Sequence, residues 1–143
     1  MAKEFPNARL WMAGKGPLKD TLEAEMRSRG IDSQARLLGF VPEEELPDVL
    51  NAADCTVMPS LDLEGFGLAT VESLACGTPV LGSDAGATPE LIEPLSKELL
   101  FSSNDVDALC GALRKTLSGS SPLPARNTCV SYCRERFGWD RPV

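Results

Sequence analysis

Short apolar runs alternate with longer amphipathic stretches along this chain, and that alternation leaves few folds open to it. Residues 8–13 and 35–38 read as strands, with a helix over 18–29 between them whose apolar Leu18, Leu22 and Met26 recur at spacing four. Gly30 stops that helix, as Gly commonly does. Pro42 suits a first helical turn, with Glu43, Glu44 and Glu45 near the positive dipole end. The spacing predicts that this helix runs to about residue 53, bent or split at Pro47. A third strand follows at 55–58, a helix at 68–76, a fourth strand at 79–82, a helical turn at 88–92 and a short strand at 99–101. Asn104 or Asp105 caps a helix reaching residue 117. A Ser/Pro/Gly-rich linker spans 118–124, and a last helix covers 126–136. The pattern predicts an α/β fold, a parallel sheet flanked by helices, whose ligands bind at the carboxyl ends of the strands. Loops 14–17, 39–42, 60–67 and 83–88 follow strands and are expected on that edge.

Composition narrows the function. At 143 residues the chain is one domain by size and can bury about two-thirds of its unfolded surface. Apolar residues at 43% and charged residues at 24% suit a globular protein, and no apolar run is long enough for a bilayer. A formal net charge of −7 argues against nucleic acid, which wants a basic face. There is no His, so histidine acid–base catalysis is excluded within these residues. The five Cys are an odd number, at 55, 76, 110, 129 and 133, which suggests reduced thiols in a cytoplasmic setting rather than a disulfide frame. Cys129 and Cys133 share a helix face and read as structural thiols rather than as metal ligands, and no metal site is expected.

The chemistry concentrates in one stretch, Glu64-Gly65-Phe66-Gly67-Leu68-Ala69-Thr70-Val71-Glu72. Two carboxylates lie eight residues apart around a glycine corner. Gly lets backbone N–H groups approach a ligand, because it has no Cβ in the way. The helix that follows opens with unpaired N–H groups and a positive dipole end, which suits a phosphate. Ionised carboxylates accept hydrogen bonds and so suit sugar hydroxyls. Phosphate together with sugar hydroxyls points to a nucleotide-sugar.

At these residues the chain resembles the retaining glycosyltransferases of family 4, which have the GT-B fold. The likeness rests on Pro59-Ser60, on Glu64 to Leu68, and on Glu72-Ser73-Leu74-Ala75-Cys76-Gly77-Thr78-Pro79-Val80, and it extends from about Arg9 to Trp139. It implies a Rossmann-like sheet flanked by helices, the carboxyl-terminal, donor-binding half of a GT-B enzyme. Glu72 would accept hydrogen bonds from the ribose hydroxyls. Glu64 would meet the donor sugar and stabilise positive charge as the glycosidic bond breaks. Gly65, Phe66, Gly67 and Leu68 would offer backbone N–H groups to sugar and diphosphate oxygens. Gly39-Phe40-Val41 resembles the segment that reads the nucleobase, which assigns Phe40 and Val41 to the base. Gly14-Lys15-Gly16-Pro17 matches the family's Gly-x-Gly-Pro turn, and places Gly14 and Gly16 near the nucleotide, with Lys15 solvated. The donor is a nucleotide-diphosphate sugar, and neither a metal nor a covalent nucleophile is needed.

Each assignment has a plainer rival. Glu72 also reads as a solvated helix residue, Glu64 as a loop carboxylate capping the next helix, Phe66 as a core anchor and the Gly14 turn as purely structural. The two Glu residues could also be a glycosidase pair, though the surrounding stretch matches a donor corner instead. The resemblance further implies an amino-terminal acceptor domain, and an Arg and a Lys ahead of residue 5 that neutralise the diphosphate. Neither has a counterpart in these residues, and Lys3 is no substitute. The expectation is a single donor-binding domain truncated at its amino-terminal edge, transferring nothing by itself, with any peripheral membrane contact made by regions outside it. A non-catalytic nucleotide-sugar-binding or assembly module of the same fold is the alternative, and a phosphorylase relative a weaker one. Ala87 stands where the family commonly has a second Gly.

Overall fold

The computed structural model describes residues 1–61 and 65–138. The chain divides into two compact units, Met1–Leu46 and the residues from Pro47 on.

In the first unit β1 (Leu10–Ala13) and β2 (Ala35–Gly39) pair in parallel, Leu10 opposite Ala35 and Met12 opposite Leu37. Parallel neighbours need a crossover, and α1 (Lys19–Ser28) supplies it. The helix stops where Gly30, at φ 63°, lets two N–H groups turn back. Gly30 N–H donates to Arg27 C=O and Ile31 N–H to Met26 C=O, each at 3.0 Å, the reciprocal pair that satisfies orphan carbonyls at a helix end. Of the apolar residues expected on one face of α1, only Met26 is buried. Leu18 and Leu22 remain exposed. Register slips between Met12 and Ala13, so that Ala13 meets Gly39. The Gln34 side-chain amide donates to the Phe5 and Pro6 carbonyls at 3.1 and 3.2 Å, which holds the first residues against the start of β2.

In the second unit β3 (Thr56–Met58), β4 (Val80–Ser83) and β5 (Leu100–Phe101) form a sheet in that order, all parallel. The expected strands are therefore present and parallel, with hydrogen bonds joining them as one pair and one triplet. All of β4 is buried, as the middle strand of a parallel sheet covered by helices should be. Around it pack α3 (Leu68–Ala75), α4 (Thr88–Ile92), α5 (Val106–Leu117) and α6 (Arg126–Phe137). Leu74, Val80, Leu81, Leu91, Ile92 and Cys129 form the centre of the core.

The stretch behind Glu72 proves to be a helix stop that feeds a strand. Gly77, at φ 79°, and Thr78 return hydrogen bonds to Leu74 and Ser73, and Pro79 leads into β4. A Cβ on Gly77 would lie 3.2 Å from Arg126 Cβ, so α6 crosses where any side chain would be crowded. Arg126 fixes that crossing, its guanidinium donating to the carbonyls of Asn51 and Ala53 at 2.7 and 2.9 Å.

Several boundaries differ from expectation. The helix α2 (Leu46–Ala52) starts four residues after Pro42, with Pro47 in its first turn. Pro is tolerated there because the first N–H groups have no intrahelical partner. Residues 43–45 form a turn closed by Glu45 N–H to Pro42 C=O at 3.0 Å. A 3₁₀ turn, Lys97–Leu99, precedes β5, with Ser96 Oγ accepting from Glu98 N–H. Asp105 is the residue that caps α5, its carboxylate accepting from Ala108 N–H at 2.9 Å.

Candidate functional site

The corner that opens α3 has the backbone its sequence calls for. Gly67 is the N-cap residue in the left-handed region, φ 74° and ψ 43°, and among the described residues no side chain caps the helix. Its carbonyl accepts from Thr70 and Val71 N–H at 2.9 and 3.1 Å. Among the described residues the first N–H groups of α3 meet no capping side chain, the arrangement that gives a helix start its affinity for anions. Gly67 is required twice over, because a Cβ there would fall 2.6 Å from Leu91 Cδ1. The side of Gly67 that a Cβ would occupy therefore faces the core.

Glu72 lies on the exposed side of α3, opposite buried Thr70, Ser73 and Leu74. Ser73 fastens the other side, its hydroxyl donating to Thr78 C=O at 3.0 Å and lying 2.7 Å from Thr56 Oγ1. Glu72 therefore projects from a helix held rigidly from behind. Among the described residues its carboxylate makes no hydrogen bond and no ion pair, and its influence is felt at Cys76. Burial, with the Glu72 charge adding to it, pushes the Cys76 thiol up and keeps it protonated. That does not suit a nucleophile.

Phe66 is not a core anchor. Its ring is 55% exposed and meets the edge of Phe137 at 6.5 Å, and Phe137 in turn meets Tyr132 at 6.0 Å. Tyr132 Oη donates to Leu91 C=O at 2.7 Å. This aromatic chain props the Gly65–Gly67 corner from α6, and sequence spacing gave no sign of it. Leu68 is 63% exposed and Gly65 is exposed as well. Glu64 and Trp139 lie outside the described residues.

The loops that follow strands come together in pairs, each within its own unit. Ser83 Oγ, at the end of β4, donates to Ser60 C=O after β3. Asp84 accepts from Ser103 N–H at 2.6 Å, and this hydrogen bond holds its carboxyl below the usual range. Gly86 takes the positive φ of this loop, 58°, while Ala87 has φ −78°. No second Gly is needed there, so the departure from the family pattern costs nothing in geometry.

In the first unit Gly14 N–H donates to Gly39 C=O at 2.7 Å, joining the loops after β1 and β2. Lys15 Nζ lies 4.8 Å above the Phe40 ring, which is 64% exposed. Lys15 is therefore partnered by an aromatic face rather than only by water. Nothing in its neighbours along the chain signalled this, although both residues leave the carboxyl ends of adjacent parallel strands. Gly14, at φ 126°, demands Gly by conformation, and open space surrounds both it and Gly16. Val41 is partly buried. Among the described residues no helix is long and apolar enough to cross a membrane, and no group of three or more Cys, Asp or Glu could hold a metal ion.

The chain is similar to known proteins in both sequence and fold. It is 35% identical over 136 residues to the GDP-mannose-dependent alpha-(1-6)-phosphatidylinositol dimannoside mannosyltransferase of Mycobacterium tuberculosis, covering 94% of this chain and 33% of that protein. Its fold matches sucrose-phosphate synthase from Thermosynechococcus elongatus with a TM-score of 0.82 at 24% identity, over 95% of this chain and 36% of that one. It also matches HepE of Anabaena, solved in complex with UDP-glucose, with a TM-score of 0.80 at 22% identity, over 92% of this chain and 37% of that one. The chain spans about a third of the length of the curated relatives it matches. These neighbours are GT-B glycosyltransferases, and the α/β fold of parallel sheets flanked by helices is theirs. The family described as "Glycosyl transferases group 1" matches residues 1–136, and the chain belongs to it.

Proposed function

We propose that this chain is the donor-binding part of a retaining glycosyltransferase of family 4. The complete enzyme transfers a sugar from a nucleotide-diphosphate sugar to an acceptor hydroxyl, with the anomeric configuration kept and the acceptor bound by a separate amino-terminal domain. The observation that carries this reading is the α3 corner. Among the described residues, a helix start without a side-chain cap opens at Gly67, and Glu72 projects from the exposed side of the same helix with no hydrogen bond or ion pair. The names of relatives add support, since one is GDP-mannose-dependent and another was solved with UDP-glucose.

In this reading the N–H groups of Gly65, Phe66, Gly67 and Leu68 hold sugar and diphosphate oxygens, and Glu72 holds the ribose hydroxyls. Phe40 and Val41 contact the base, and Gly14 and Gly16 line the nucleotide. As the bond from the anomeric carbon to the phosphate oxygen breaks, its electron pair leaves with the phosphate. That oxygen takes the acceptor proton while the acceptor oxygen bonds to the same face of the sugar. Glu64 stabilises the oxocarbenium character that develops. No metal enters the scheme, because backbone donors aimed at developing charge can stabilise a leaving diphosphate. The protein works in the cytoplasm, in keeping with five unpaired Cys.

The division of labour between the two carboxylates is the test. Glu72→Ala is expected to abolish binding of the bare nucleoside diphosphate. Glu64→Ala is expected to leave that binding and to reduce discrimination between sugar conjugates. Equal, small effects of both changes in calorimetric titrations would contradict the assignment.

A further inference from the structure

Space is left where α5 meets β5. Ala108, Gly111 and Ala112 line that space from α5, and Leu81, Leu99 and Phe101 form its inner wall. A Cβ on Gly111 would meet no atom within 4 Å. The cavity measures about 360 Å³, at the lower end of the roughly 300–1,000 Å³ of small-molecule sites. Protein interiors are close-packed, so a void of this size beside three buried apolar side chains is a departure from the rest of the core. Its rim is tied in place. Beyond the end of α5, Gly119 takes φ 73° and Ser121 N–H returns to Lys115 C=O at 3.2 Å. Ser121 Oγ donates to Glu98 Oε2 at 2.8 Å, which joins the segment after α5 to the turn before β5. Glu98 and Lys115 both line the cavity and both are exposed, yet they form no ion pair with each other. Among the described residues Lys115 Nζ has no hydrogen-bond or ion-pair partner, and the Glu98 carboxylate has only the Ser121 hydroxyl.

We propose that this cavity is a binding site for an apolar α-amino acid, which places its side chain against Leu81, Leu99 and Phe101, its carboxylate on Lys115 and its ammonium on Glu98. The inner wall carries no side-chain donor or acceptor, so it favours an apolar body. A Lys ammonium has three donors and no acceptor, whereas an ionised carboxylate only accepts. Each rim charge therefore calls for a group of the opposite kind. A simple carboxylate would answer Lys115 and meet repulsion from Glu98. A simple amine would answer Glu98 and meet repulsion from Lys115. A zwitterion with an apolar body answers both charges and the wall. No residue of the corner before α3 lines this cavity, and the proposal does not depend on the donor-site reading.

Titration of the full chain with L-leucine, followed by amide NMR shifts, tests the proposal. The comparison ligands are 4-methylpentanoate, which lacks the ammonium, and 3-methylbutylamine, which lacks the carboxylate. Leucine is expected to shift the signals of residues 98–102 and 108–123 in a saturable way. Each comparison ligand is expected to bind about tenfold more weakly, the size of one lost hydrogen bond to a charged group. Gly111→Leu fills the cavity from α5 and is expected to abolish the shifts. Lys115→Met, at an exposed position that folding does not depend on, is expected to make leucine bind no more tightly than 3-methylbutylamine. Circular dichroism checks that both variants fold. The absence of a saturable shift with leucine in the folded chain overturns the proposal. So does binding that survives in folded Gly111→Leu, a comparison ligand as tight as leucine, or an unchanged leucine affinity in Lys115→Met.

Discussion

Gly67 is held by two constraints at once, and they separate structural from ligand-binding roles at this corner. Its φ of 74° is unfavourable for any residue with a Cβ, and the Cβ itself would meet Leu91 at 2.6 Å. Gly67→Ala is expected to destabilise the fold by about 1–3 kcal/mol in denaturant titrations. Glu72 is the converse case. It is exposed and, among the described residues, makes no hydrogen bond or ion pair, so Glu72→Ala should change stability by no more than about 0.5 kcal/mol, while abolishing nucleotide binding. A matching loss of stability and binding would make Glu72 a structural residue. Among the described residues, the buried Thr88 Oγ1 has no hydrogen-bond partner. Thr88→Val keeps the shape and removes the orphaned hydroxyl, so the melting temperature is expected to hold or rise. At this scale the sequence was informative wherever chemistry is local. The Gly positions and a cap at Asn104 or Asp105 follow from spacing. The Lys15–Phe40 contact and the Phe66–Phe137–Tyr132 chain did not, because they join residues from different elements.

Among the elements, boundaries were legible where a cap or a stop residue is unambiguous. Val106–Leu117 falls where its Asp105 cap places it, and Gly30 and Gly77 end their helices with the same backbone pattern. The start of α2 was misplaced because Pro42 and Pro47 both suit a first turn and only packing decides between them. β1 starts at Leu10 rather than Ala8, since Ala8 N–H turns back to Phe5 C=O and Arg9 donates to the Pro6 carbonyl. The turn before β5 is too short to show a period. α5 offers a clean test of propensity against packing. A Cβ on Gly111 would meet no atom within 4 Å, on a helix face lining a cavity of about 360 Å³ against β5. Gly111→Ala is therefore expected to raise stability by about 0.5–1 kcal/mol, read from the unfolding midpoint.

For the molecule as a whole, the buried thiols set the response to alkali. Burial pushes Cys55, Cys129 and Cys133 up from the ordinary thiol value. Below about pH 8.5 the thiol is protonated in both folded and unfolded chains, and this contribution is constant. Above it the unfolded chain loses protons first, so stability falls as pH rises towards the folded values. Thermal melts are expected to be level from about pH 6 to 8 and to drop above about 9. Cys129 and Cys133 are also the residues α6 buries against the core that holds α3, so alkali should loosen the helix bearing Glu72. The central claim is that this chain carries a nucleotide-sugar donor site. Saturation-transfer NMR with UDP, GDP, ADP and their sugar conjugates, on the full chain and on Glu72→Ala, tests it most directly. The account predicts transfer to at least one nucleotide that vanishes in the variant. Silence across the panel from a folded sample, or a signal that persists in Glu72→Ala, would contradict it.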